Sequence, residues 1–167
     1  MKSKEKVVAR QMHQVCVVVR DLQAAVERYW NLFGIGPWQF YTFRAPELTD
    51  PVIHGKPQPY SMRIALAYMG DVQWELIQPL SGPSIYQEFL DDHGEGVHHV
   101  ALGVDDYDDT IAAMRKQGVD VLMSGCWNGT GFSYLDTEKS LGVIVELFKY
   151  APEFVMPEPE ATYPPQD

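Results

Sequence analysis

The sequence predicts an α+β fold in which two βαβββ modules pair into one cupped, mixed β-sheet with helices on its outside. Three observations carry this expectation. Met12-His13-Gln14-Val15-Cys16-Val17-Val18-Val19-Arg20-Asp21 aligns without gaps on Val97-His98-His99-Val100-Ala101-Leu102-Gly103-Val104-Asp105-Asp106. Each stretch is followed by a run at helical spacing that stops at a glycine, Gly34 and Gly118. Near the ends of the two copies, Trp74-Glu75-Leu76-Ile77 falls on Val145-Glu146-Leu147-Phe148. An internal repeat of this kind means that one supersecondary unit is used twice.

The elements follow in order. Residues 1–10 read as a solvated arm, 11–80 as the first module, 81–94 as a linking segment with a short helix, 95–150 as the second module, and 151–167 as a tail. A strand over about 12–19 leads to Asp21, a helix N-cap, and a helix at roughly 22–33 with Leu22, Val26 and Phe33 on one stripe. Gly34-Ile35-Gly36-Pro37 stops that helix, and Trp38 to Phe43 alternates as a strand does. Residues 44–60 carry Pro46, Pro51, Pro57 and Pro59, and are expected to form a lid or rim loop. Strands follow at Met62–Tyr68 and Val72–Ile77, the latter after a Gly70-Asp71 turn. The linker helix turns Ile85, Phe89 and Leu90 inward. The second module repeats the pattern: a strand at 97–104, Asp106 as cap, a helix at about 107–117, and strands near 120–124, 131–135 and 143–149. The tail, rich in proline and acid, is expected to be extended and poorly ordered unless it docks.

Composition removes several function classes. The chain has 167 residues, 46% hydrophobic and 12% aromatic, enough to bury a sizeable core. A net charge of −10 argues against nucleic acid and against an anionic membrane surface. No apolar run approaches the roughly 20 residues that span a bilayer, and Met1-Lys2-Ser3-Lys4-Glu5-Lys6 lacks the hydrophobic region of a signal peptide. The expected location is therefore the cytoplasm. Cys16 and Cys126 form no disulfide framework or zinc spacing, and read as small structural side chains.

Strand alternation points to chemistry. His99, Ala101 and Gly103 share one face, while Val100, Leu102 and Val104 share the other, so an imidazole stands before two very small neighbours. Gln14 is its counterpart in the first copy, as Glu75 is to Glu146. If the modules pair about a pseudo-twofold axis, Gln14, Glu75, His99 and Glu146 converge. One imidazole, two carboxylates and an amide oxygen suit a divalent metal of intermediate hardness: Zn²⁺, Ni²⁺, Co²⁺, Mn²⁺ or Fe²⁺. His13 and His98 are expected on the opposite face, as structural residues. On the third strand, Arg63 is followed by Ala65 and Ala67, again one functional side chain followed by small ones.

Residues of about 11–150 resemble the vicinal oxygen chelate superfamily, which contains glyoxalase I, methylmalonyl-CoA epimerase, extradiol dioxygenases and metal-free bleomycin-binding proteins. The most specific stretch runs from Glu75-Leu76-Ile77-Gln78-Pro79 to Gly94-Glu95-Gly96-Val97-His98-His99-Val100-Ala101 and is similar to methylmalonyl-CoA epimerase. The resemblance implies Gln14, Glu75, His99 and Glu146 as metal ligands, with Glu146 also the proton-transferring base. Glutamine at the first position is the choice of eukaryotic glyoxalase I. The second base of the epimerase falls on Arg63, a permanent cation suited to an oxyanion but not to proton abstraction.

The aromatic residues Trp30, Trp38, Tyr41, Phe43, Trp74 and Trp127 suit a flat substrate. Dihydrodaidzein racemase, which acts on an isoflavanone, is the corresponding type of relative. The expected function is thus an epimerase or racemase moving a proton beside a carbonyl, on an isoflavanone-like aromatic ketone or an acyl-CoA of the methylmalonyl-CoA type. In this reading Glu146 and Glu75 are the catalytic carboxylates and Arg63 stabilises the oxyanion. The alternatives are a glyoxalase I-like lyase and a non-catalytic small-molecule-binding protein of the same fold. The expected partners are a small-molecule substrate and a second copy in a homodimer.

Overall fold

The structure, a computed structural model, describes residues 6–165. The first half builds β1 (Ala9–Val18), α1 (Leu22–Phe33), β2 (Trp38–Phe43), the hairpin β3 (Leu48–Ile53) and β4 (Lys56–Pro57), then β5 (Ser61–Met69) and β6 (Val72–Ser81). The linker forms α2 (Ile85–His93). The second half adds β7 (Gly96–Val104), α3 (Tyr107–Lys116), β8 (Val121–Trp127), β9 (Thr130–Leu135), α4 (Glu138–Leu141) and β10 (Ile144–Lys149), and the tail supplies β11 (Ala161–Tyr163).

Both predicted caps form. Asp21 accepts from the Ala24 amide at 3.0 Å and Asp106 from the Asp109 amide at 2.8 Å, each satisfying one orphan donor of a first turn. Gly34 ends α1 in the left-handed region at φ 65°, where a side chain would be strained.

One mixed sheet runs in the order β11-β2-β5-β6-β1-β7-β10-β9-β8-β3-β4. Its centre is the antiparallel β1–β7 pair, and the register there is itself symmetric. Gln14 faces Ala101 and Cys16 faces His99, with Val15 opposite Val100 between them. The flanking parallel pairs match too, Cys16 beside Glu75 and Ala101 beside Glu146. The repeat in sequence is therefore a repeat in space.

Three apolar clusters divide the two faces of the sheet. Under α1 lie Val17, Val19, Trp38, Phe40, Ala65 and Leu76, and under α3 lie Val145, Leu147 and Leu135, with Ile111 of the helix packed on them. The concave face gathers Cys16, Val18, Ile64, Ile77, Phe132 and Tyr134, with Ile85, Tyr86 and Leu90 of α2 packed against it.

Residues 44–60, expected as a lid or rim loop, instead contain a β-hairpin. His54 (φ 48°) and Gly55 (φ 76°) are the two loop residues between Ile53 and Lys56, and two positive φ values match the hairpin twist. The hairpin crosses from the first half to add β3 and β4 to the outer edge of β8, with Leu48 opposite Trp127 and Ile53 opposite Met123. Leu48 and Ile53 are buried there, and His54 Nε2 lies 3.0 Å from Glu88 of α2. After β6, Gly82 passes so close to the chain that a Cβ would sit 2.3 Å from the Pro59 carbonyl oxygen.

The tail docks. Ala161–Tyr163 pairs antiparallel with Phe40–Trp38 of β2. The Glu160 amide also donates to the Phe40 carbonyl at 2.9 Å, and Thr42 Oγ1 donates to the Glu160 carboxylate at 3.0 Å. Among the described residues, no helix is long and apolar enough to cross a membrane.

Candidate active site

Four central strands bring Gln14, Glu75, His99 and Glu146 together on the concave face, and all four are buried. His99, fully buried, holds Nε2 3.0 Å from a Glu146 oxygen and 3.3 Å from a Glu75 oxygen. The Gln14 amide nitrogen donates to Gln73 Oε1 at 2.7 Å. Gln14 Oε1 is buried without a hydrogen-bond partner in the protein, and the two carboxylates converge on the single nitrogen His99 Nε2. Unpartnered buried polar atoms are costly, and an N/O set rich in carboxylates is what a divalent ion satisfies. The residues present therefore fit a metal ion.

Two β-bulges correct the expected faces of the neighbouring histidines. The β1–β7 register slips between Cys16 and Val17, leaving His98 as an extra residue opposite no partner, and it slips again between Met12 and Gln14, leaving His13 extra. A bulge turns a side chain out of strict alternation. His98 thus lies beside His99, Nδ1 to Nδ1 2.8 Å, instead of on the outer face. His13 lines the cavity, and a Cβ on Gly103 would come within 2.6 Å of its Nε2. The space that Gly103 leaves is filled by His13.

Arg63 is the second correction. It shares the α1 side of β5 with Ala65 and Ala67, its guanidinium 4.9 Å above the Phe40 ring. The concave side of the same strand carries Met62, Ile64 and Leu66. The small residues beside Arg63 admit the helix, not a ligand, so Arg63 does not reach the site and cannot stabilise an oxyanion there.

Sequence reasoning missed two concave-face residues. Cys16 sits between His99 and Glu75 in register, and its signal was its place two residues after Gln14. Tyr134 is the cross-strand partner of Glu146, which needed the β9–β10 register to find.

The electrostatics follow from burial. Burial alone pulls the His99 pKa down, but the carboxylates of Glu146 and Glu75 outweigh it and raise the value to about 9. Burial and the neighbouring His99 hold His98 well below the usual histidine range, so His98 stays neutral and His99 donates between them. Glu146 is pushed up, chiefly by desolvation, against the opposing pull of His99 and the Tyr134 hydroxyl. Tyr134 in turn accepts from the Tyr86 hydroxyl at 2.7 Å.

Above these groups opens a cavity of about 360 Å³. Glu75, Glu146 and Tyr134 lie at its polar end, while Phe43, Trp127, Phe132 and Phe148 make much of its wall. Phe43 and Trp127 stack at 4.0 Å between centroids. Trp38 and Trp74, two of the expected aromatic residues, pack instead on the α1 side. Phe154 and Met156 of the tail complete the wall, and among the described residues no lysine or arginine lines it.

Two repeated strand–helix–strand units meeting at the centre of one sheet, with their polar residues at the seam, agree with a sequence profile. The profile of the Glyoxalase/Bleomycin resistance protein/Dioxygenase superfamily matches residues 13–134. The chain belongs to this superfamily. Within it, the chain is similar to the mitochondrial methylmalonyl-CoA epimerase of Bos taurus, 26% identical over 141 residues that cover 81% of this chain and 72% of that one. It is also 30% identical over 90 residues to the uncharacterized protein YqjC of Bacillus subtilis (strain 168), covering 52% of this chain and 64% of YqjC, just under two thirds of that relative. The crystal structure of methylmalonyl-CoA epimerase from Mycobacterium tuberculosis has the same fold, with TM-score 0.65 at 24% identity over 91% of this chain and 94% of that one. A methylmalonyl-CoA epimerase in complex with methylmalonyl-CoA and NH4+ superposes with TM-score 0.63 at 25% identity, covering 87% and 97%.

Proposed function

We propose that this superfamily member is an isomerase, an epimerase or racemase that moves a proton at a carbon next to a carbonyl. The observation that carries the reading is the pair of buried carboxylates, Glu75 and Glu146, within 3.3 Å of one imidazole nitrogen at the polar end of an aromatic cavity. Similarity to methylmalonyl-CoA epimerases supports the reaction class.

Glu146 takes the proton from the substrate carbon, and the C–H electron pair moves onto the carbonyl oxygen to give an enolate. Desolvation raises the proton affinity of Glu146 and so improves it as a base. Glu75, on the other side of His99 in the strand order, enters the cycle carrying a proton from solvent. It gives that proton to the enolate carbon from a second direction, which inverts the centre, and solvent then takes the abstracted proton from Glu146. A divalent ion held by Gln14, Glu75, His99 and Glu146 would polarise the carbonyl and acidify the neighbouring C–H. Burial keeps water from competing for the enolate.

For the substrate, the absence of lysine and arginine from the described cavity wall favours a neutral molecule over the anionic phosphates of an acyl-CoA. Phe43, Trp127, Phe132 and Phe148 suit a flat ring system. An aromatic ketone with an α-hydrogen, of the isoflavanone kind, fits both features.

The test is solvent deuterium incorporation at the α-carbon of chiral aromatic ketones and of methylmalonyl-CoA, with wild type and Glu146→Gln. Loss of the general base lowers the exchange rate by about 10²–10⁴-fold, while affinity for a ketone analogue changes little. Equal exchange by the variant removes Glu146 as the base. No exchange by wild type on any substrate favours a binding protein.

A further inference from the structure

We infer that Cys16 is a metal ligand, its thiolate joining Glu75 and His99 around one thiophilic divalent ion. The register places Cys16 between the other two, next to His99 on β7 and next to Glu75 on β6. One ligand atom from each of the three lies within 4.8 Å of the others. Two ligands on a tetrahedral zinc-like ion are about 3.6 Å apart, from bonds of about 2.3 Å to sulfur and 2.1 Å to nitrogen or oxygen. Side-chain shifts of at most about 1 Å bring the trio onto one ion.

A thiol alone would not make a site. The independent observation is that Gln14 Oε1, buried two residues before Cys16 on the same strand, has no partner in the protein. Packing does not require the sulfur either. Ala101 occupies the equivalent place in the second half of the sheet and is also fully buried, so a methyl group fills that kind of space.

When the ion binds, the S–H bond breaks, its proton leaves to solvent, and the sulfur lone pair forms the bond to the metal. No electron is transferred. A thiolate biases the choice toward Zn²⁺ or Co²⁺ and away from Mn²⁺ or Mg²⁺. The arrangement also divides the labour of the two carboxylates. With Cys16 added to Gln14, His99 and one oxygen from each carboxylate, the second oxygens of Glu75 and Glu146 stay available to move protons. The inference deepens the proton-transfer reading of the same site and rests on it for that last point only.

The experiment is titration of metal-stripped protein with Co²⁺, followed by absorption spectroscopy. Wild type and Cys126→Ser are expected to show an intense near-ultraviolet thiolate-to-cobalt charge-transfer band. Cys16→Ala and Cys16→Ser lose the band, and their affinity for Co²⁺ falls at least about 100-fold, more than loss of an outer-sphere partner costs. Cys16→Ser preserves a hydrogen-bond donor toward Glu75, so it separates ligation from mere positioning, and circular dichroism confirms that both variants are folded. Cobalt bound by wild type with no charge-transfer band overturns the inference, as does the absence of any cobalt uptake. Deuterium exchange on the same samples keeps the two readings apart. Exchange without the band sinks the thiolate ligand alone, and the band without exchange supports the ligand while sinking the isomerase.

Discussion

Raising the pH of metal-free protein should unfold it in a defined window, because the site holds a proton that the unfolded chain does not. His99 has its pKa raised from 6.5 to about 9 in the folded state. Stability from this group is fully present below pH 6.5 and is lost as the pH climbs through about 9. At about 1.4 kcal/mol per pH unit the whole effect is roughly 3 kcal/mol. Glu146 has the same sign, raised by burial, but its contribution begins to be lost from its ordinary value near 4.5 upward. For a chain of this size, 3 kcal/mol corresponds to a fall in Tm of roughly 6–12 °C. The assay is urea unfolding in the presence of a chelator, from pH 6.5 to about 9.5. That ceiling stays below the titration of Tyr60, Tyr86 and Tyr134, which burial pushes above the ordinary tyrosine range. His99→Gln should flatten the slope. A bound divalent ion should flatten it as well, because the imidazole then carries metal instead of a proton. Stability that is constant or rising across the window in chelated wild type would refute the reasoning.

Two further outcomes follow from where side chains point. Arg63→Ala removes a cation–π contact on the α1 side of the sheet, so it should lower stability by about 0.5–1 kcal/mol and leave the exchange rate unchanged. A large loss of rate would put Arg63 back in the site. Phe154→Ala strips one tail side chain from the cavity wall and should weaken binding of an aromatic ketone analogue by about 1–2 kcal/mol, measured by calorimetry, with little change in Tm. Unchanged affinity would mean that the tail does not touch the ligand.

Much of this was readable in the sequence, and the exceptions share a cause. The repeat located Gln14, Glu75, His99 and Glu146, because similar units pairing about a pseudo-twofold axis leave little freedom for where their equivalent residues meet. Alternation then assigned faces correctly wherever the strands are regular. It failed at His13 and His98, where bulges add a residue to each strand, and a bulge leaves no trace in a hydrophobic pattern. At Arg63 the pattern was read correctly and the wrong face chosen. Small residues make room for a helix as readily as for a ligand, and only the position of α1 distinguishes the two. The β3–β4 hairpin was hidden by its prolines, although His54-Gly55 has the character of a two-residue hairpin turn. Asp50, with φ 52°, sits in β3 where the pairing to β8 shifts register. The tail was undecidable from composition, since its docking depends on an open edge of β2 that only the assembled sheet presents.

Those late additions change how the molecule meets its neighbours. The sheet ends at one side in β11, three residues long, and at the other in β4, two residues long and containing Pro57. An exposed strand edge is a template on which another chain can continue the ladder, and short strands with proline withhold it. Without the hairpin and the tail, the six-residue β2 and the seven-residue β8 would stand open at the two margins. The segments that wall the cavity and brace the second half thus also terminate the sheet. The two margins therefore offer little backbone for another chain to extend.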